Sequence, residues 1–178
     1  MALVHFDFPT TFRTLYKQSY QLYQDGQRGA ETFFDAEGTA WLAGNGITAQ
    51  YMYDYAEDDV AEGRPGFGNA LTIEAVRRDY FLSVQHGLPS PAVDDPEDWP
   101  GKTVEAAGMR WLPRIIPKAK AKLRGELPAS MMYACGGDRA FFHRHNIMPA
   151  EFLSLVWRHL DDENDDAIIA WVKSRSAA

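Results

Sequence analysis

The sequence predicts a mostly α-helical protein: a single domain, 1–178, of two related helical halves joined by a proline-rich linker. Three observations predict it. Apolar residues recur at helical spacing along most of the chain. The stretch GLPSPAVDDPEDWPG, 87–101, holds four of the ten prolines and breaks that pattern. A short pattern near residue 40 returns near residue 140. The halves are therefore 1–86 and 102–178, with 87–101 as the linker.

The elements follow in order. From Thr11 to Asp25 the residues Phe12, Leu15, Tyr16, Ser19, Leu22 and Tyr23 make one helical stripe, and Gly26 follows as a left-handed stop. A short helix at 40–44 and a longer one at 49–61 come next. GRPGFGN, 63–69, reads as a loop; without a following Lys-Ser/Thr it is no phosphate loop. A helix over 70–86 places Ile73, Val76, Tyr80, Phe81 and Val84 inward, pairs Glu74 with Arg78, and ends at Gly87.

The second half opens with a helix at 113–124, whose stripe is Trp111, Leu112, Ile115, Ile116, Ala119 and Leu123. Arg110, Arg114, Lys118 and Lys122 run beside it every four residues, and Pro117 belongs in the first turn or makes a kink. Helices at 139–145, 149–160 and 165–174 complete the chain.

The repeat has physical content. Ala40-Trp41-Leu42 matches Ala140-Phe141-Phe142, and Ile47 matches Ile147. After a one-residue slip, Ala49 to Met52 matches Ala150 to Leu153. Gly46 and Asn146, the residue types that best tolerate positive φ, are equivalent. Thr39 and Asp138 read as N-caps of the short helices.

Composition bounds the function. With 46% hydrophobic and 24% charged residues, the chain is built to fold. Apolar runs such as AIIAWV, 167–172, are too short to span a bilayer, so no membrane association is expected. MALVHFDFP lacks the features of a signal peptide, and one cysteine makes no internal disulfide; both point to a cytoplasmic protein. A net charge of −7 argues against nucleic acid as a partner. Residues 102–124 nevertheless carry seven basic residues against Glu105 alone. Such a segment either holds a small anion or pairs with acids such as those at 54–62.

The densest chemistry lies in YACGGDRAFFHRH, 133–145. Cys135, ahead of a helix N-terminus, has the setting of a nucleophile with His143 as its base, or of a buried thiol. Asp138 is a helix cap or a working carboxylate, and Tyr133 is the remaining acid–base group. Arg77 and Arg78 are adjacent, so they cannot share one helix face. One of them is expected at a cleft, as a carboxylate or phosphate clamp, with Arg114 and Lys118 completing the anion site. No metal or other cofactor is expected. His143 and His145 point about 200° apart on a helix, HExxH is absent, and one cysteine makes no CxxC site.

Leu112-Pro113-Arg114, Lys118-Ala119 with Ala121, and then Tyr133, Cys135, Asp138 and Phe141 resemble the pattern of a bacterial domain-of-unknown-function family, the one numbered 5069. Lys120 stands where that family often has Arg, and Pro117 where it often has an acid. The resemblance covers about 108–172, while WLAGNGITAQYMYDYAED and VRRDYF are similar to its longer members. It implies no reaction. The expectation is an enzyme or binding protein for a small anionic metabolite, with its pocket between the halves. The alternative is a non-catalytic helical interaction module, meeting a partner or forming a homodimer.

Overall fold

Pro9 decides where the first helix begins. A proline needs no N–H in the first turn, so α1 runs Phe8–Gln24, a turn earlier than the stripe alone predicts. The structure, a computed structural model, describes residues 5–176; residues 1–4, which open the stretch read for a leader, and 177–178 lie outside the described residues. The protein is mostly α-helical, with eight α-helices and one two-stranded hairpin among the described residues. The chain divides into two units, one ending at Leu88 and the other beginning at Pro89.

In the first unit α1 buries Phe8, Phe12, Leu15, Tyr16 and Ser19 and packs against α3, Ala49–Glu62. Between them α2 runs Ala36–Gly44. Thr39 is not its cap. Asp35 has extended backbone and accepts from Gly38 N at 2.8 Å, so the helix starts four residues before Ala40. Thr48 caps α3 through Tyr51 N, and Gly63 ends it at φ +67°.

The last helix of this unit, α4, runs Gly66–Ser83 and takes in most of the stretch read as a loop. Its start is held by Asp59, whose Oδ1 accepts from Gly66 N at 2.9 Å. Its buried face carries Ala70, Ile73, Glu74, Arg77, Tyr80 and Phe81, while Val84 is exposed. Glu74 therefore lies inside and takes the Tyr55 hydroxyl at 2.6 Å instead of pairing with Arg78 along the surface.

In the second unit, residues 89–101 are stitched down. Asp94 N donates to Glu126 O, Ser90 Oγ donates to Glu126 Oε1, and Trp99 is buried. A hairpin of β1, Glu105–Ala106, and β2, Met109–Arg110, turns on Ala107 and Gly108, both at positive φ. Then α5 runs Leu112–Arg124, with Pro117 in its interior, and packs against α7, Pro149–Arg158. Lys118 and Lys122 are buried, so the basic row does not stay at the rim of the apolar stripe. Gly125 ends α5 at φ +74°. The remaining helices are α6, Gly136–Arg144, and α8, Asp166–Ser176.

Each unit thus holds four helices in the same order. The helices α1 and α5 end at Gln24 and Arg124, α2 and α6 span 36–44 and 136–144, α3 and α7 begin at 49 and 149, and α4 and α8 begin at 66 and 166. These five bounds are each offset by 100, whereas the starts of α1 and α5 and the ends of α3 and α7, and of α4 and α8, do not keep that offset. Phe12, Leu15, Tyr16 and Ser19 are buried, and so are Leu112, Ile115, Ile116 and Ala119, their equivalents at the same offset in sequence. With both long helices starting at equivalent residues, the backbone carries no slip between Ile147 and α7.

Candidate functional site

Asp138 organises the polar centre of the second unit. It lies in the first turn of α6 rather than at the cap; the N-cap residue is Cys135, which caps with no side-chain bond. From there the Asp138 carboxylate reaches back to Ala134 N at 3.0 Å. Its other partners come from α5 and the residue before it. Lys118 Nζ donates to Oδ2 at 2.8 Å, and Trp111 Nε1 donates to Oδ1 at 2.9 Å. Asp138 is 1% exposed and Lys118 3%, so this is a buried ion pair with hydrogen bonds to both carboxylate oxygens.

Local backbone makes this geometry possible. Trp111 and Ala134 adopt left-handed φ of +80° and +63°. Such values are costly for residues with a Cβ and persist only where surrounding contacts hold them. Gly137 lets the indole approach: a Cβ there would stand 2.6 Å from Trp111 Cζ2. The second glycine of YACGGD is thus the one the Trp111 ring requires.

The other candidates take separate places. Cys135 is half-buried, with Sγ 3.2 Å from Lys118 Nζ. Tyr133 is buried and donates to Pro149 O at 2.8 Å, and burial, reinforced by Asp138, holds its phenol well above the usual range. His143 is exposed, its imidazole makes no hydrogen bond among the described residues, and it lines a 460 Å³ hollow with Met148, Glu151 and Arg175. It forms no dyad with Cys135. Arg114 points away from Lys118: its Nη1 donates to Pro100 O at 3.0 Å and, more weakly, to Pro96 O, and its guanidinium lies over Trp99. The acid that meets α5 here, Asp138, pairs with Lys118 and not with Arg114.

In the first unit Arg77 is buried and donates to Gln85 Oε1 at 2.8 Å. Arg78 donates to Asn45 Oδ1 and meets His5 Nδ1, both at 2.6 Å, with its guanidinium over Phe8. No group of three His, Cys, Asp or Glu side chains that could hold a metal occurs among the described residues.

A different feature of this unit was not singled out from sequence. Arg13, Tyr16, Lys17 and Tyr20 occupy one face of α1 at i, i+3, i+4 and i+7, and with Phe67 and Asp59 they line a cleft of about 360 Å³. The signal was present: two cations share the helix face that also carries Tyr16 and Tyr20.

The fold and its polar centre define a class: an α-helical protein whose second unit is built around a buried lysine–aspartate pair on the YACGGD segment. Residues 101–178 match the model of the family described as Domain of unknown function (DUF5069). The chain matches no curated protein and no solved structure. No described helix is long and apolar enough to cross a membrane.

Proposed function

We propose that the protein binds a small anionic metabolite, and that the first unit's cleft is where it binds. One observation carries this reading. Arg13 and Lys17 both reach the cleft, and neither has an acidic partner among the described residues. The cations named from sequence are committed elsewhere: Lys118 to Asp138, Arg114 to two carbonyls, Arg77 to Gln85 and Arg78 to Asn45. Binding is favoured over turnover because Tyr133 and Asp138 are buried with their hydrogen bonds satisfied, and His143 stands apart from Cys135.

The test is calorimetric titration of the protein with a panel of carboxylates, phosphate and sulfate at low ionic strength. Lys17→Gln is expected to weaken the responding anion about tenfold or more, in line with the loss of one charge-assisted contact. The melting temperature without ligand should stay unchanged, since Lys17 is exposed. Equal affinity in the variant and the parent would remove the cleft from consideration.

A further inference from the structure

The cleft has walls as well as charges. Phe67 meets Tyr16 edge-on, with ring centroids 5.6 Å apart, and the Arg13 guanidinium lies over the Phe67 face at 4.2 Å. That contact holds the guanidinium at the cleft wall, where its fork of N–H donors suits a bidentate carboxylate. Tyr20 is half-exposed and pairs with no other ring among the described residues, so its face is available. Tyr16 is not free to act. Its hydroxyl donates to Asp59 Oδ2 at 2.7 Å, and Asp59 Oδ1 takes Gly66 N. Asp59 also contributes a negative charge to the lining, which therefore sums to one positive charge from Arg13, Lys17 and Asp59. One negative charge on a ligand balances that sum, whereas a phosphate dianion leaves an excess beside Asp59. A volume of about 360 Å³ is at the small end of ligand sites.

We infer that the cleft takes a small aromatic monocarboxylate, its ring against Tyr20 and its carboxylate between Arg13 and Lys17. This rests on the anion-binding reading above and narrows it to a ligand class. Aromatic contact and a paired carboxylate favour this ligand over an aliphatic acid of equal size, because the ring gains stacking and cation–π attraction that a saturated ring lacks.

The experiment is calorimetric titration of the full-length protein with benzoate, cyclohexanecarboxylate, benzyl alcohol and phenyl phosphate at low salt. Benzoate is expected to bind at least tenfold more tightly than the saturated acid and the neutral alcohol, and at least as tightly as phenyl phosphate. Arg13→Gln should weaken benzoate about tenfold. Tyr20→Leu, at a half-exposed position, should erase the preference for benzoate over cyclohexanecarboxylate. Equal binding of the two acids overturns the aromatic class and leaves the anion-binding reading standing. Tighter binding of phenyl phosphate overturns the monocarboxylate assignment in the same way. Benzoate binding untouched by both substitutions overturns the location. Absence of binding by every anion overturns this inference and the proposed function together.

Discussion

Asp138 shows how much one residue's environment exceeds what its neighbours in sequence reveal. Its position before a helix marked it as a cap for the helix N–H groups, whereas it lies within α6 and accepts from Ala134 N, ahead of the helix. Its donors Trp111 and Lys118 lie 27 and 20 residues earlier, and no local pattern names them. The consequence is energetic. Asp138→Asn leaves the Lys118 ammonium buried without a counter-charge, which costs about 3–5 kcal/mol. A chemical denaturation midpoint shifted by less than a surface substitution would shift it contradicts this account. Gly137 belongs to the same scale. Gly137→Ala pushes a methyl group against the Trp111 indole and is expected to cost about 1–3 kcal/mol, while Gly68→Ala, where a Cβ would meet nothing within 4 Å, costs less. Thermal melts of the two variants side by side check the order.

At the scale of elements, the turn between the short and long helices was the most legible feature. Gly46 and Asn146 adopt φ of +70° and +55°, and Ile47 N and Ile147 N each donate at 3.0 Å to the carbonyl five residues back, Leu42 O and Phe142 O. Both isoleucines are buried, as plugs beneath the turn. The two positions differ in tolerance. A Cβ at Gly46 would lie 2.6 Å from Phe81 Cγ, so Gly46→Asn is expected to destabilise by about 1–3 kcal/mol. Asn146→Gly meets no such clash and should lie within about 1 kcal/mol of the parent. Melting temperatures of the pair decide the matter, and equal losses would refute the packing explanation. Helix starts were less legible than turns. Asp35 outcompetes Thr39 as a cap because it stands before a stretch that is already helical, and Gly66 starts α4 because Asp59 supplies its N–H with a partner. The 105–110 hairpin escaped notice because its strands are two residues long, too short for any alternation to show.

At the scale of the whole molecule, burial of tyrosines sets a pH limit. Burial raises the phenol pKa of Tyr16, Tyr51, Tyr55 and Tyr133, with nearby carboxylates adding to it. In the unfolded chain these phenols ionise near pH 10, as ordinary tyrosines do. The native state keeps them neutral, so their contribution is complete below about pH 10 and is lost progressively as pH rises above it. During alkaline titration part of the tyrosinate absorbance should appear only with unfolding, and ionisation of all eight tyrosines in folded protein would contradict the burial account. Several helix bounds of the two units are offset by 100 residues: α1 and α5 end, α2 and α6 start and end, and α3 and α7, like α4 and α8, start at that spacing. The Lys118–Asp138 pair has no counterpart at that offset, where Gln18 and Gly38 stand, so the shared framework does without it. The sequence by itself determined the helical class, the match of residues 101–178 to a family model and the left-handed turns. Periodicity, caps and glycine stops act within about four residues, where order along the chain is proximity in space. Only the tertiary structure decided which cations are spent and which are free. Lys118 finds its acid 20 residues away, and Tyr16 reaches Asp59 across 43 to build the cleft beside Arg13 and Lys17. Such pairings depend on which helix faces meet, and the spacing of charges along one helix does not encode that.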